Sequence, residues 1–278
     1  MIMVGESITE ILLQADARGE PLGPAAITFL VRRYAAGGGD DVRRALERGL
    51  TGVLDGVAAG EREPAWIPML CEAAAVTDDE RVGDAVATLS RALREAWPYR
   101  GPMLDAMHGI DACLAAAMFL SGGRPDGRDL IAGAVDELER VVSIVYRPGE
   151  SLPKSLRNPD EPDGGVEEHV AAAAALLTAH DLTARLPYSM LAEELIQPVR
   201  RSTGEPGVAT RCALARVLGR LARLHDDEEY VRAAIVAPSS DYRAEARIVL
   251  DGVAPQAARH SEDAALLGVA MDEIAHPS

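Results

Sequence analysis

Apolar residues recur along this chain at three- and four-residue spacings, and no alternating stretch reads as a strand. The pattern predicts an all-α protein in which two kinds of helix take turns. One kind is alanine-rich and apolar around most of its circumference. The other carries a polar face opposite an apolar stripe, as a helix does when one side meets water.

A start signal punctuates the alternation: acidic or glycine residues, then proline or glycine, then an apolar helix. It occurs as Gly19-Glu20-Pro21, Glu61-Arg62-Glu63-Pro64, Tyr99-Arg100-Gly101-Pro102, Asp163-Gly164-Gly165 and Gly204-Glu205-Pro206. Proline is tolerated at a helix's first position, and acidic residues there complement the helix dipole. The signals mark helical pairs of roughly forty residues, a two-helix repeat. The predicted pairs are 22–36 with 40–58, 65–76 with 80–96, 103–120 with 128–146, 166–180 with 188–201, and 208–224 with a broken 228–236 and 242–250. Thr77-Asp78-Asp79 reads as a capping turn, Gly122-Gly123-Arg124-Pro125-Asp126-Gly127 as a loop, Leu186-Pro187 as a helix break, and Pro238-Ser239-Ser240 as the break in the last pair.

Two helices remain, 6–17 and 262–275. The first is amphipathic and the second, with Ala264-Ala265-Leu266-Leu267-Gly268-Val269-Ala270, is apolar. If they pair, they supply a sixth hairpin and close the array into a ring. An open solenoid needs two polar caps, and 262–275 is too apolar for one. The expected architecture is therefore a single domain over residues 1–278.

Six apolar helices inside six amphipathic ones resembles the α/α-toroid, or six-hairpin, superfamily. The likeness is to its N-acylglucosamine 2-epimerase-like and glycosidase-like branches, and to the toroid part of thioredoxin-domain proteins. It implies an (α/α)6 toroid with a site at the rim where the inner helices begin. It also implies, for the epimerase-like branch, a histidine pair that moves protons at sugar carbons. His108 and His169 are the counterparts on offer.

Several side chains fall at that rim. Asp105, His108 and Asp111 lie three apart on one helical stripe, and Glu167, Glu168 and His169 open the fourth inner helix. A carboxylate beside a histidine tunes its proton affinity for general acid–base work, so His108, His169, Asp105 and Glu168 are the catalytic candidates. The bland reading is equally physical: Asp105 complements a helix dipole and the histidines are packed. Trp66, Trp97, Tyr99, Tyr146 and Arg211 are the ligand-binding candidates, notable in a chain that is only 4% aromatic. No spacing resembles a metal site, a phosphate loop, a dinucleotide fingerprint or a nucleophile elbow, so neither metal nor cofactor is expected. Cys71, Cys113 and Cys212 fall inside apolar helices, where cysteine is usually a small buried hydrophobe. Residues 147–165, with four prolines and the sole lysine, Lys154, form a long connection that reads as a lid or a tethered surface loop.

Charge narrows the partners. A formal net charge of −16 argues against nucleic acid and against anionic membranes. Met1 to Gly19 lacks a basic then apolar leader, and no apolar run reaches the ~18 residues of a bilayer span, so a cytoplasmic location is expected. Three cysteines without a leader fit a reducing compartment. The favoured reading is a non-catalytic scaffold or small-ligand binder, its partner a small molecule or a protein. The alternatives are a carbohydrate-active enzyme with acid–base residues at the rim, and an open solenoid that binds a protein.

Overall fold

The computed structural model describes residues 2–121, 126–202, 204–234, 236–237 and 240–275. Thirteen helices account for the regular structure among them, and no strand occurs: α1 Ile2–Ala17, α2 Pro24–Ala35, α3 Asp40–Ala59, α4 Trp66–Ala74, α5 Glu80–Arg94, α6 Met103–Ser121, α7 Asp126–Val145, α8 Val166–Thr183, α9 Leu186–Arg201, α10 Val208–His225, α11 Glu228–Ala234, α12 Tyr242–Ala257 and α13 Ser261–Ala275.

The chain is all-α, as the periodicity predicts, and the differences lie at helix ends. Pro21 is not a helix start; α2 begins at Pro24, with Gly23 as its cap. Leu186-Pro187, expected as the break ahead of the helix at 188–201, forms the first turn of α9 itself, because proline in a first turn removes only an N–H that has no intrahelical acceptor. The second half of the last amphipathic element runs on to Ala257. Residues 122–125 of the Gly122-to-Gly127 loop, and Pro238-Ser239 of the Pro238-Ser239-Ser240 break, lie outside the described residues.

Burial explains the alternation. In α6, eleven residues from Met103 to Leu120 are buried, and α8 buries a continuous run from Glu168 to Ala173. Such helices must be covered on several sides, and each has apolar neighbours on both flanks: α2 packs on α4, α4 on α6, α6 on α8, α8 on α10, α10 on α13, and α13 on α2. The amphipathic helices cover them: α3 on α2, α5 on α4, α7 on α6, α9 on α8, α12 on α10, and α1 on α13. Alanine and glycine keep the backbones close. A Cβ at Gly268 of α13 would collide with the Phe29 ring of α2, which occupies the space instead. Among the described residues, α6 is the one helix long and apolar enough to cross a membrane, and it is packed among α4, α5, α7 and α8.

Contacts distant in sequence hold α13 against α2. Ala25 N–H donates to Glu262 Oε1 at 3.0 Å, so a carboxylate from α13 supplies the N-terminal acceptor that Gly23 lacks. A Cβ on Gly23 would strike that carboxylate. Two turns further along α2, Arg32 donates to Glu72 of α4 (2.8 Å), to Glu273 of α13 (2.8 Å) and to the Val269 carbonyl (3.1 Å). Arg33 pairs with Asp272 at 2.5 Å. Glu273 also accepts from Arg216 of α10 at 2.7 Å. Two arginines and two glutamates thus join four helices in a charge-balanced quartet.

The 147–165 connection is braced. Met103 N–H donates to Lys154 O (2.8 Å) and Leu156 N–H to Gly101 O (2.9 Å), while Leu152 and Leu156 are buried. These bonds fix it beside the start of α6.

The quartet makes acid stability predictable. Burial pushes the Glu273 carboxyl up, but Arg216 and Arg32 outweigh it and hold it below the usual carboxylate range. A depressed folded pKa stabilises the protein above the unfolded value, and the contribution is lost as pH falls through the folded one. Glu273→Gln therefore costs about 2 kcal/mol at pH 7, and the gap to the parent closes as pH drops below the ordinary carboxylate range. Urea titrations of both proteins at pH 7 and in acid check this. An equal gap at both pH values refutes it.

Candidate functional site

The N-terminal ends of α4, α6, α8 and α10 surround a well of about 460 Å³. Leu104, Glu167 and Ala209 are the second residues of their helices and form its mouth with Glu63 and Thr210. Asp111, Ala174 and Arg216 lie about two turns in, so the well is roughly 10 Å deep. Its wall is Pro68, Ala112, Val170, Ala171 and Ala213, small and apolar, with His108 partway down.

The polar groups differ in how they are satisfied. At the deep end Arg216 is engaged by Glu273, and behind it stands the quartet. Asp111 Oδ1 is buried and accepts no hydrogen bond. Glu167 Oε1 accepts a 3.2 Å bond from the Thr210 hydroxyl across the mouth. His108 is exposed to the well.

Of the four catalytic candidates, His108 alone lines this well. Asp105 is exposed in the first turn of α6 and is not part of the lining. Glu168 Oε2 accepts the Gly165 N–H at 2.7 Å, closing a cap on its own helix. His169 is 3% exposed, its Nδ1 lies 2.8 Å from the Gly165 carbonyl, and its buried Nε2 has no partner. Both side chains thus bind the turn that starts α8. The structure does not bring His108 and His169 together in one pocket.

The five ligand-binding candidates join neighbouring helices. Trp66 packs on Gly56 of α3, where a Cβ would lie 2.8 Å from the indole, in a groove separate from the well. Trp97 lies on Gly133 of α7, and its ring centroid is 5.9 Å from the Arg94 guanidinium. Tyr99 covers Gly109 of α6, and burial pushes its phenol up to about 12. Tyr146 donates to Glu194 of α9 at 2.7 Å, and burial together with that carboxylate raises it to about 12. Arg211 bonds Gln256 and the Gly252 carbonyl of α12. Burial also pushes the thiols of Cys71 and Cys113 up to about 12 and that of Cys212 to about 11, which disfavours a thiolate nucleophile. Among the described residues no three His, Cys, Asp or Glu side chains group closely enough to hold a metal ion.

One polar centre escapes sequence reasoning. Glu193 of α9 is wholly buried, yet its carboxylate accepts from Val236 N–H (3.0 Å), Ala237 N–H (3.0 Å) and the Tyr242 hydroxyl (2.9 Å), and lies 3.0 Å from His225 Nε2. The His225 ring meets Tyr242 edge-on, with centroids 4.9 Å apart, and Gln197 donates to the Tyr242 hydroxyl. A buried charge is tolerable only when so fully bonded. Here it ties Val236 and Ala237, and Tyr242 at the start of α12, to α9. The sequence places Glu193 on an amphipathic helix, where a carboxylate normally faces water, so no pattern betrays it.

Two predictions separate structural from functional polar groups. Glu193→Ala costs about 3 kcal/mol or more, and amide exchange at Val236 and Ala237 accelerates; denaturation and hydrogen-exchange measurements check both. His169→Ala lowers stability by about 1–2 kcal/mol by leaving the Gly165 carbonyl unpaired, whereas His108→Ala leaves the melting temperature unchanged. Equal effects of the two histidine substitutions contradict the assignment.

The chain matches no protein-family model, no curated protein and no solved structure. Its functional reading therefore rests on the geometry.

Proposed function

We propose that this chain is an (α/α)6 toroid of helical hairpins that binds a small polar molecule in the well among its inner helices and does not turn it over. The observation that carries the reading is the well itself: helix starts on four elements converge, and the lining combines small apolar walls with Glu63, His108, Asp111, Glu167 and Arg216. Its volume lies within the range of small-molecule sites. The toroid assignment draws support from the cyclic order in which the apolar helices pack, α13 against α2 included, and from α1 covering α13. An acid–base enzyme is less favoured, because His169 and Glu168 are committed to the cap of α8 and no aromatic face lines the well for a sugar ring to stack on. A cytoplasmic setting suits the three free thiols.

A plug tests the reading. Ala209 is exposed at the mouth, so Ala209→Trp obstructs entry without disturbing packing. In a thermal-shift screen of small polar metabolites, the expected result is a set of compounds that raise the melting temperature of the parent protein but not of the plugged one. A screen in which every stabilising compound acts equally on both removes the well as the binding site.

A further inference from the structure

The buried Glu193 centre lies under the shortest of the thirteen helices. α11 has seven residues, too few to hold a helix in water without tertiary support. It packs on α9 and α10, and among its residues Tyr230 and Ala234 alone are buried. Tyr230 is thus its one large anchor. The phenol ring sits between two imidazoles, with its centroid 6.3 Å from that of His180 and 6.1 Å from that of His225. Its hydroxyl is buried and faces Ser189 without a well-aligned hydrogen bond, so the anchor is imperfect. Beyond α11 the hold is Glu193 itself, through the amides of Val236 and Ala237.

The two ends of this segment are joined without it. α10 packs directly on α12, the His225 and Tyr242 rings meet, and Arg243 in the first turn of α12 pairs with Asp226 at the end of α10 at 2.6 Å. Lifting α11 therefore breaks none of the contacts that order α2, α4, α6, α8, α10 and α13. Beneath it are Glu193, His225 and His180, whose buried Nδ1 lies 3.5 Å from Asp181 Oδ1 and makes no hydrogen bond. We propose that α11, with Val236 and Ala237, is a strap that opens as one unit while the apolar helices stay packed, making Glu193, His225 and His180 accessible from the folded state.

Native-state hydrogen exchange of the full chain tests this. The amides of Val231, Val236 and Ala237, each hydrogen-bonded in the closed form, share one opening equilibrium, expected to be populated roughly a hundredfold more than the opening of α6 and α8. Glu273→Gln weakens the quartet and accelerates exchange in α6 and α8. It leaves the three strap amides unchanged, because the strap opens with the quartet intact. Glu193→Gln accelerates all three by a common factor of about ten, the equivalent of one charge-assisted hydrogen bond. Tyr230→Ala makes the same test through the anchor should Glu193→Gln prove unstable. If Glu273→Gln accelerates the strap amides as much as those of α6 and α8, they open only on global unfolding and the proposal falls. Unequal opening at Val231 and Val236 overturns the single unit. Diethyl pyrocarbonate labelling reads the exposure of the cluster, with the exposed His108 as internal standard. His225 is modified faster in Tyr230→Ala than in the parent, and His108 at the same rate in both. A His225 that stays unreactive in that variant means that the strap moves without uncovering the cluster, which overturns its accessibility.

Discussion

A helix that is apolar around most of its circumference must be covered around most of its circumference, and this constraint governs the whole molecule. Exposing α6 or α8 to water would forfeit roughly 25 cal/mol for every Å² of apolar surface. Each such helix therefore takes apolar neighbours on its flanks and an amphipathic helix at its back. Alanine and glycine at the contacts let the backbones approach until neighbouring side chains fill the gaps, as Phe29 does at Gly268. Close packing leaves few places for charge, and several of those are filled by ion pairs that cross between helices.

The paired charges then become structural links. Arg32, Glu72, Glu273 and Arg216 sit where four apolar helices face one another, partly exposed yet each bonded to another of the four. Burial acts on carboxylates in two directions in this molecule. Glu273, gripped by two arginines, is held below its usual range. Glu262, whose partners are backbone amides at the start of α2, is pushed above it by burial. The first favours the fold as pH rises, the second as pH falls. The joint between α13 and α2 is therefore sensitive to pH through opposed terms.

The same packing produces the well. Between the starts of α4, α6, α8 and α10 the facing side chains at Ala112, Ala171, Ala174 and Ala213 are too small to fill the gap, and the space that remains is lined by whichever side chains face it. His108, Asp111 and Arg216 face inward. His169, one residue beyond the capping Glu168, turns toward its own helix start instead. That difference in direction separates the two histidines, because an acid–base pair must share a substrate and these two do not share a pocket.

The sequence by itself determined the helical class, the alternation of apolar and amphipathic elements, and most helix positions, because periodicity and proline and glycine punctuation are local properties. It also singled out the rim as a concentration of polar and aromatic residues. Only the tertiary structure decided which of them converge. Trp66, Trp97, Tyr99, Tyr146 and Arg211 turned out to join helix to helix, and Glu193 with His225 became a buried clamp. Asp111 and Glu167 came to face one well from different helices. Residues three or four apart share a face in any helix, but which face meets a distant partner depends on how the helices rotate to bury their alanines. That rotation is a property of the assembled packing, and no single segment contains it.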